Sequence, residues 1–497
     1  MAAGVFGFAA LYHALQACRR GKRSTRKAQR YELRLLDNLW ETSTALQQHA
    51  WRPARAIRFV TLQPKPREIL AAEFGDRVVH HLLVGWLERF YEPVFIHDSF
   101  ANRRGKGTLA AVQRLQAFTR APGTGYYLQL DVGNFFNSIN RRILFGLIRA
   151  RLHRDQRRAS GAARYCPPAQ AQHMLWLVRL LLTGNPAVRA RFQGCTQHLL
   201  RVPAHKQLLH AMPETGLPIG NLTSQFFANV YLNELDQFVK HQLGARHYVR
   251  YVDDFVLLHE CPQQLVQWRT QIATFLHNRL QLSLRDAGIL APVSQGIDFL
   301  GYVLRPHYML VRRRVVANLH DKLHAMHAQL RHKDNSLRCS PAQADALFAM
   351  LASYWGHFSH AKSQPLRTGL LGRHTWLQHW VAEASAQCQL RRVDRASYDQ
   401  TLPEQWRWFA RRYPGYVLMV QVGRDWECSW GLPTMKVQRQ PGLPPTYRLR
   451  KQQLLRLQQA CIREGQPWLQ VVENGYQTTG RKRRQLCALW SGLAGGF

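Results

Sequence analysis

Three aspartates stand where apolar strands are predicted to end, and such a set can hold divalent cations. Asp131 follows the apolar run YYLQL, while Asp253 and Asp254 lie at the bend between HYVRYV and FVLLH. Carboxylates on rigid strand ends are the hard oxygen ligands that Mg²⁺ prefers. Two such ions, roughly 3.5–4 Å apart, support transfer of a phosphoryl group from a nucleoside triphosphate to a hydroxyl. The sequence therefore predicts a two-magnesium site held by these three residues.

An adjacent pair of aspartates can also be an ordinary solvated turn. Here strong β-formers flank Asp253 and Asp254 on both sides, which predicts a buried hairpin rather than a surface loop. Two neighbouring acids in a buried hairpin are costly unless a cation compensates them. The flanks therefore favour metal ligation.

The charge of the whole chain indicates a polyanionic partner. Its 497 residues include 68 lysines and arginines against 30 acidic residues, a formal net charge of +38. Self-repulsion of that size destabilises a compact state unless counter-charge arrives, and nucleic acid supplies it. A membrane surface is the alternative, but no stretch approaches the roughly 20 apolar residues of a spanning helix. We expect nucleic acid as the partner and no membrane.

Composition also indicates a folded protein of the reducing cytosol. With 46% hydrophobic residues the chain can bury a large core and divide into several domains. Its nine cysteines are scattered singly without a C-x-x-C pair, so we expect a cytoplasmic location and no zinc knuckle. The apolar opening MAAGVFGFAALYHALQA lacks the flanks of a signal peptide and is predicted to be a helix of the folded protein.

Hydrophobic patterning places the aspartates in an α+β region. A strand is predicted over 126–130, and the turn GLPIGNLTSQ leads into a long helix before the Asp253–Asp254 hairpin. A helix over 263–280 and the strand IDFLGYVL follow. Residues 151–210 read as a basic helical insertion over the active face. The fold class predicted from these patterns is α+β.

The ordered motifs resemble those of reverse transcriptases. LQLDVGNFF, GLPIGNLTSQFFANVYLNELD and YVDDF are similar to the three palm motifs, and IDFLGY is similar to the strand after them. PKPREI, DRVVHHLL and SFANRRGKG resemble fingers motifs of the bacterial group II intron and retron-like enzymes. The resemblance covers residues from about 60 to 370. It implies a right-hand polymerase with fingers, palm and thumb that uses two Mg²⁺ ions to copy template RNA into complementary DNA.

The resemblance also implies a division of the chain and a set of partners. The expected parts are a basic helical region (1–58), fingers (59–125), a palm (126–310) with a helical insertion at about 151–210, a thumb (311–388) and a small C-terminal α/β appendage (389–497). Expected partners are template RNA, the RNA/DNA hybrid and deoxynucleoside triphosphates, with an accessory protein or a structured non-coding RNA as a further candidate.

The last hundred residues resemble a domain of another nucleic-acid protein. WFARRYPGYVLMVQVGRDWECSW and WLQVVENGYQTTGRKRRQLCALW are similar to the mismatch-binding N-terminal domain of the repair protein MutS. That domain wedges an aromatic side chain into DNA, but the matching position here is Asp425. Because an acid repels phosphates, we expect a repurposed nucleic-acid or accessory module rather than mismatch recognition.

Several side chains fall where the family binds the incoming nucleotide. Phe136 matches the aromatic residue against the sugar 2′ position and implies preference for deoxynucleotides, although it could be a core residue like Phe135. Arg67 and Arg103 match fingers residues that meet the triphosphate. Lys106 is a further candidate, with an ordinary solvated loop lysine as the alternative.

The turn before the long helix distinguishes subfamilies. This chain has Ile219-Gly220 and Ser224-Gln225, a form that resembles the reverse transcriptases of diversity-generating retroelements, which make errors at adenines. The resemblance implies that Gly220 and Gln225 line the nucleotide site and that Ile219 and Ser224 belong to a fidelity turn. An apolar isoleucine cannot make the hydrogen bonds of a glutamine, so discrimination by polar pairing would weaken. The alternative is that Ile219 merely packs.

One expected group is missing from the pattern. Relatives often carry a lysine before FLGY that can protonate pyrophosphate, but LSLRDAGILAP has none. Arg285 is the nearest cation, and an arginine holds its proton too tightly to be an efficient acid. The proton donor therefore stays unassigned.

Two other functions remain open. One is a defence-associated reverse transcriptase with antiviral activity, which can carry a similar turn. The other is a maturase-like RNA-binding protein that keeps the fold without the activity. Retention of all three carboxylates disfavours the latter, since uncompensated acids beside RNA weaken binding.

Overall fold

The computed structural model divides the chain into two units, Met1–Leu300 with Arg305–His307 and Gly301–Leu304 with Tyr308–Phe497. Structure is described for residues 4–62, 65–384, 388–396, 399–431, 437–438 and 445–492. Pro64, the first residue of PKPREI, therefore lies outside the described part. Both units mix helices with strands, which confirms the predicted α+β class.

The first unit holds the elements that carry the three aspartates. Its helices are α1 (Phe8–Cys18), α2 (Arg26–Glu32), α3 (Leu35–Gln47), α4 (Phe74–Tyr91), α5 (Thr108–Phe118), α6 (Phe135–Ser138), α7 (Arg141–Gln156), α8 (Pro168–Thr183), α9 (Leu222–Gln237) and α10 (Pro262–Leu280). Its strands are β1 (Ile57–Thr61), β2 (Arg67–Ala71), β3 (Tyr126–Asp131), β4 (Arg191–Phe192), β5 (His247–Tyr251), β6 (Asp254–His259), β7 (Ile289–Pro292) and β8 (Ile297–Phe299).

An antiparallel sheet with the strand order β5-β6-β3-β7 forms the platform of the site. Strand β6 presents the apolar run FVLL, which is buried throughout, and β3 buries Leu128 and Leu130. Both strands are buried because they are rich in leucine and β-branched residues. Burial fixes the register, since a one-residue slip would move every side chain to the opposite face of the sheet. Asp131 ends β3 and Asp254 begins β6, so both aspartates lie at the same end of the two strands.

The helical core beneath this sheet includes the apolar start of the chain. The predicted N-terminal helix is α1, whose Leu11 and Leu15 are fully buried. It packs with α4 and α9 in the same hydrophobic cluster that receives Leu128 and Leu130 of β3. None of the described helices is both long enough and apolar enough to cross a bilayer.

The segment 151–210, predicted to be a helical insertion, contains the end of α7 and all of α8. These two helices bury Leu152, Leu177 and Val178 in the main hydrophobic cluster of the first unit. The segment therefore contributes to the core, and its being an insertion stays a prediction. The stretch after β4 forms short 3₁₀ helices, and none of their residues belongs to the main hydrophobic cluster.

The second unit begins with helices and ends with a large sheet. Its helices are α11 (Arg313–Leu330), α12 (Pro341–Phe358), α13 (Gln364–Arg373), α14 (Leu402–Arg412) and α15 (Lys451–Arg463). Its strands are β9 (Tyr302–Leu304), β10 (Met309–Val311), β11 (Leu337–Arg338), β12 (Val381–Ala384), β13 (Gln389–Arg392), β14 (Val417–Val422), β15 (Asp425–Cys428), β16 (Val437–Gln438), β17 (Thr446–Leu449), β18 (Trp468–Tyr476) and β19 (Lys482–Trp490). The large sheet has the order β11-β19-β18-β14-β15-β17-β16.

The expected boundary between residues 388 and 389 does not separate two bodies. Strand β11, from the helical part, pairs with β19 from the end of the chain, with Leu337 opposite Leu489. One hydrophobic cluster contains Leu351 of α12 together with Trp406 of α14 and Leu469 of β18. Helices and sheet of the second unit therefore share a core, which composition alone could not reveal because the contacts link distant stretches of the sequence.

The position compared with the MutS wedge is occupied by a paired acid. Asp425 begins β15 and its carboxylate accepts a hydrogen bond from Arg448 Nε at 2.8 Å. The neighbouring Trp426 is buried, so the strand presents no exposed aromatic side chain there. The likeness to MutS stays a prediction.

Candidate active site

The ends of β3 and β6 bring the three aspartates together. Asp131, the last residue of β3, lies directly opposite Asp254 in the antiparallel register. The backbone N–H of Val132 donates to the carbonyl of Asp253 at 3.2 Å, which ties the two strand ends to each other. The carboxyl groups of Asp131 and Asp253 are near enough for each to affect the pKa of the other.

The hairpin tip before Asp253 has a strained backbone. Val252 has φ +57°, a left-handed conformation that a β-branched residue rarely adopts. Its carbonyl accepts a hydrogen bond at 2.9 Å from the guanidinium of Arg250, which is completely buried. This arginine fixes the turn that presents Asp253.

A buried ion pair holds Arg250 in place. Its Nε donates to Asp236 Oδ1 of α9 at 2.7 Å, and the hydroxyl of Tyr248 donates to the same carboxylate at 2.8 Å. A further guanidinium nitrogen donates to Ser99 Oγ at 3.0 Å. Because every partner is buried, the network links the hairpin rigidly to helix α9 and to the segment around residue 99.

Electrostatics at the tip disfavour three free carboxylates. Burial, followed by the negative charge of Asp131, raises the pKa of Asp253 to about 6. Burial raises the pKa of Asp254 to about 7, and it also raises the pKa of Asp131. A bound cation would offset this cost, because an opposite charge favours the ionised carboxylates.

Asp254 faces a different neighbour from the other two acids. Its carboxylate accepts hydrogen bonds from Gln129 Nε2 at 3.1 and 3.4 Å. The amide oxygen of Gln129 is buried without a hydrogen-bond partner among the described residues. Gln129 thus orients Asp254 beside the Asp131–Asp253 pair.

The donor set fits magnesium. Asp131 and Asp253 offer hard carboxylate oxygens, and burial is the main cause of their raised pKa values. Mg²⁺ favours such oxygens and usually keeps several waters beside one or two carboxylates. Asp131 and Asp253 would hold the ions, with Asp254 next to them.

Cationic side chains border the carboxylates. Arg285 forms an ion pair with Asp131, and its backbone N–H donates to the Asp131 carbonyl at 2.9 Å. Burial is the main influence on the pKa of Asp253 and raises it, whereas the positive charge of Arg67 on β2 lowers it. Lys65 acts in the same sense on Asp131. Sequence reasoning singled out Arg67 but missed Lys65, although its position two residues earlier in PKPREI was the available signal.

Phe136 differs from its neighbour in burial. Phe135 is 2% exposed and lies in the core, whereas Phe136 is only half-buried and meets Phe135 edge-on at 5.5 Å between ring centroids. Of the two readings of Phe136, this exposure favours the one in which its ring has a free face. Phe136 follows Asp131 by five residues in the sequence.

The turn 216–221 is hydrogen-bonded to elements on both sides. Leu217 N–H donates to the carbonyl of Phe136 at 2.8 Å, and Leu70 N–H of β2 donates to the carbonyl of Ile219, also at 2.8 Å. Gly220 has φ +121°, and a Cβ there would lie 2.8 Å from Ile69 Cγ2, so the position requires glycine. The turn therefore connects the Phe136 segment with the strand that carries Arg67.

The two other turn residues lie differently from one another. Gln225 is half-buried in the first turn of α9. Ser224 is 2% exposed and lines an open pocket of about 1020 Å³ together with Asp76 and His80. Its assignment to a fidelity turn stays a prediction.

Arg103 and Lys106 have structural partners. The Arg103 guanidinium donates to Glu92 at 3.0 Å and to the carbonyls of Ile96 and Ser99 at 2.7 and 2.9 Å. Its donors are therefore occupied within the fold, and its contact with the triphosphate stays a prediction. Lys106 Nζ donates to the carbonyl of His97 at 2.9 Å, which binds it to its own loop.

A family comparison agrees with this geometry. The family described as "Reverse transcriptase (RNA-dependent DNA polymerase)" matches residues 63–304. This stretch contains β2, β3, the β5–β6 hairpin and all three aspartates. It is a reverse transcriptase domain with the polymerase fold.

Curated relatives are distant. The group II intron-encoded protein LtrA of Lactococcus lactis subsp. cremoris is 22% identical over 304 residues, covering 48% of this chain and 45% of LtrA. An uncharacterized 91 kDa protein in the cob intron of Schizosaccharomyces pombe is 23% identical over 188 residues, 38% of this chain and 19% of that protein. The chain thus spans less than half the length of the curated relatives it matches.

Solved structures with some likeness include two telomerases. That of Candida albicans, in complex with a fragment of telomeric RNA, has a TM-score of 0.35 and 12% identity over 66% of this chain and 60% of its own. That of Candida tropicalis also has a TM-score of 0.35, with 11% identity over 54% and 59%. Scores this low support no further comparison.

Proposed function

We propose that this chain uses its reverse transcriptase domain, residues 63–304, to synthesise complementary DNA on an RNA template. The observation that carries the proposal is the meeting of the three aspartates at adjacent strand ends, where Asp131 lies opposite Asp254 and Val132 N–H donates to the carbonyl of Asp253 at 3.2 Å. Supplied with an RNA template, a DNA primer, deoxynucleoside triphosphates and Mg²⁺, the purified chain is expected to extend the primer. Absence of extension in every primed and unprimed reaction would contradict the proposal.

The residues around the carboxylates would position the substrates. Bound Mg²⁺ would activate the primer 3′-hydroxyl and neutralise charge on the triphosphate. Arg67 and Lys65 would orient the triphosphate, because their charges already act on Asp253 and Asp131. Arg285, which pairs with Asp131, would turn towards phosphate when Mg²⁺ is held by that carboxylate. The strained turn at Val252 would keep Asp253 aimed at the site.

The basic second unit would hold the nucleic acid. Its first helix begins at Arg313, flanked by Arg312 and Arg314, and phosphate contacts from such residues position a duplex without reading its sequence. We assign α11 to α13 to the thumb, and the large C-terminal sheet to an accessory nucleic-acid or protein-binding module. The likeness of this sheet to MutS favours a nucleic-acid-binding module. Mismatch recognition is not expected, because Asp425 is an ion-paired acid.

Phe136 is proposed to exclude ribonucleotides. Replacing it by alanine (Phe136→Ala) removes a half-exposed ring that would lie against the 2′ position, so a 2′-hydroxyl should fit. Because steric selection of this kind is worth about 10–200-fold, the ratio of ribonucleotide to deoxynucleotide kcat/KM is expected to rise within that range. Single-nucleotide extension kinetics measure it. The control Phe136→Tyr keeps the ring and should leave the ratio nearly unchanged; equal ratios in both variants would mean that Phe136 only packs.

Within this function, we propose error-prone copying at template adenines, as in a diversity-generating retroelement. Ile219 is half-buried on a turn joined to both the Phe136 segment and β2, so its apolar side chain would border the nucleotide. Ile219→Gln, which restores a hydrogen-bonding side chain, is expected to lower misincorporation opposite adenine by roughly 10-fold. Sequencing of products from a defined template gives the error spectrum. The matched change Ile219→Leu should keep it, and an unaltered spectrum in the glutamine variant would remove the retroelement assignment.

Two other functions are distinguished by products. A defence-associated enzyme would make DNA of its own design, primed by protein or without a primer, and a maturase-like protein would bind RNA without making DNA. Sequencing the nucleic acid that copurifies and the DNA that the enzyme makes separates all three. Copies of a host RNA with changes at adenines support diversification.

A further inference from the structure

Three histidines of the second unit converge far from the aspartates in sequence. His320 and His324 lie one turn apart on α11, and His374 follows the end of α13. One ring nitrogen of each lies within 4.8 Å of the other two. His320 Nδ1 and His374 Nε2 are 2.8 Å apart, close enough to share a single proton. Residues at i and i+4 of a helix present their side chains on the same face, so the pair on α11 forms one side of a preformed cluster.

We propose that His320, His324 and His374 form a binding site for a divalent transition metal, with Zn²⁺ as the natural occupant. Three imidazoles with a fourth position open to water are an established ligand set for zinc, with Zn–N distances of about 2.0–2.1 Å. In a tetrahedral arrangement two such nitrogens lie roughly 3.3 Å apart, so the observed 2.8 Å contact needs only a small outward shift. Mg²⁺, which prefers oxygen, would not compete for this site.

Burial keeps two of the three ligands, His320 and His374, in their metal-binding form. His374 is buried, and burial with the nearby histidines lowers its pKa to about 4. Burial also lowers the pKa of His320. Neutral imidazoles can accept a metal at pH 7 without first losing a proton, so binding costs little in competition with protons.

The position of the site suggests its role. His374 stands between α13 and the 3₁₀ turn Thr375–His379, which carries the buried Trp376. The ring of His327, one turn beyond His324, stacks on Trp376 at 5.3 Å with an interplanar angle of 8°. A bound metal would therefore link α11 to the segment that connects α13 with the following strands of the second unit.

The test uses the full-length chain without a polyhistidine tag, stripped of metal and kept in millimolar Mg²⁺ so that the aspartates are occupied. Zn²⁺ is titrated against a chromophoric chelator, and Co²⁺ is added separately to record its visible absorption. We expect one high-affinity Zn²⁺ per chain, a Co²⁺ spectrum typical of low-coordinate nitrogen ligation, and a rise of the thermal midpoint by a few degrees.

Single-residue variants locate the binding. His324 is exposed, so His324→Ala should fold normally, yet we expect its Zn²⁺ affinity to fall more than about 100-fold, since even an outer-shell partner is worth 10–100-fold. The control His332→Ala removes an equally exposed histidine just after α11 and should keep the affinity. If His324→Ala binds Zn²⁺ as tightly as the parent, or if the parent binds none below about 10 μM, the site does not exist. Neither outcome bears on polymerase activity, which depends on other residues.

Discussion

The double variant Asp253→Ala with Asp254→Ala is expected to lose primer extension by at least about 1,000-fold while binding RNA with nearly unchanged affinity. Metal-held charge stabilisation is worth several kcal/mol in the transition state, and each 1.36 kcal/mol changes the rate tenfold. RNA affinity should persist because it comes from the many cationic side chains of a chain with net charge +38. Extension of a labelled primer and filter binding of the template measure the two effects separately.

The matched control removes two acids elsewhere in the same unit. Asp37 and Glu41 are exposed on α3, where both pair only loosely with Arg34. The variant Asp37→Ala with Glu41→Ala changes the net charge by the same amount and should extend primers normally. Full activity of the Asp253 and Asp254 variant would show that these carboxylates are not the catalytic ones, whatever the charge of the chain.

The largest expected loss of stability follows from Asp236→Ala. This change leaves Arg250 fully buried without its carboxylate partner and deprives the Tyr248 hydroxyl of its acceptor. Removing one partner of a buried ion pair typically costs about 3–5 kcal/mol. For a unit of this size the thermal midpoint should fall by roughly 5–15 °C. Calorimetry, which can resolve the transitions of the two units, measures the fall.

An exposed ion pair gives the comparison for that stability change. Asp37→Ala removes one partner of a pair in which both side chains are more than half exposed, and such pairs contribute about 0–1 kcal/mol. Its transition should move by no more than a degree or two. A similarly small shift for Asp236→Ala would mean that Arg250 finds another partner and that the hairpin does not depend on this network.

Local patterns predicted the elements of the site well. Strand β3, the hairpin of β5 and β6 and the helix α10 lie within a few residues of their predicted bounds, because apolar runs and turn residues specify them locally. The three aspartates could be identified for the same reason, since each stands at the end of such a run. The raised pKa values could not be predicted, as they depend on burial and on approach of Asp131 to Asp253 across the sheet.

Long-range pairing explains what the sequence did not reveal. Arg103 was predicted at the triphosphate, and its pairing with Glu92 and two backbone carbonyls had no local signal. The contribution of α7 and α8 to the core likewise depends on contacts with residues far along the chain. The helical spacing of His320 and His324 places both on one face of a helix and could be read from the sequence. The approach of His374, fifty residues after His324, has no local signal.

The pairing of β11 with β19 has a consequence for how this protein can change over evolutionary time. Because Leu337 in the helical part lies opposite Leu489 near the end of the chain, the last hundred residues complete the hydrophobic core of the region before them. A recombination event that exchanged this tail for another would uncover Trp355 and its neighbours. The tail and the helices are therefore expected to be inherited together, as one module rather than as a polymerase with a detachable accessory.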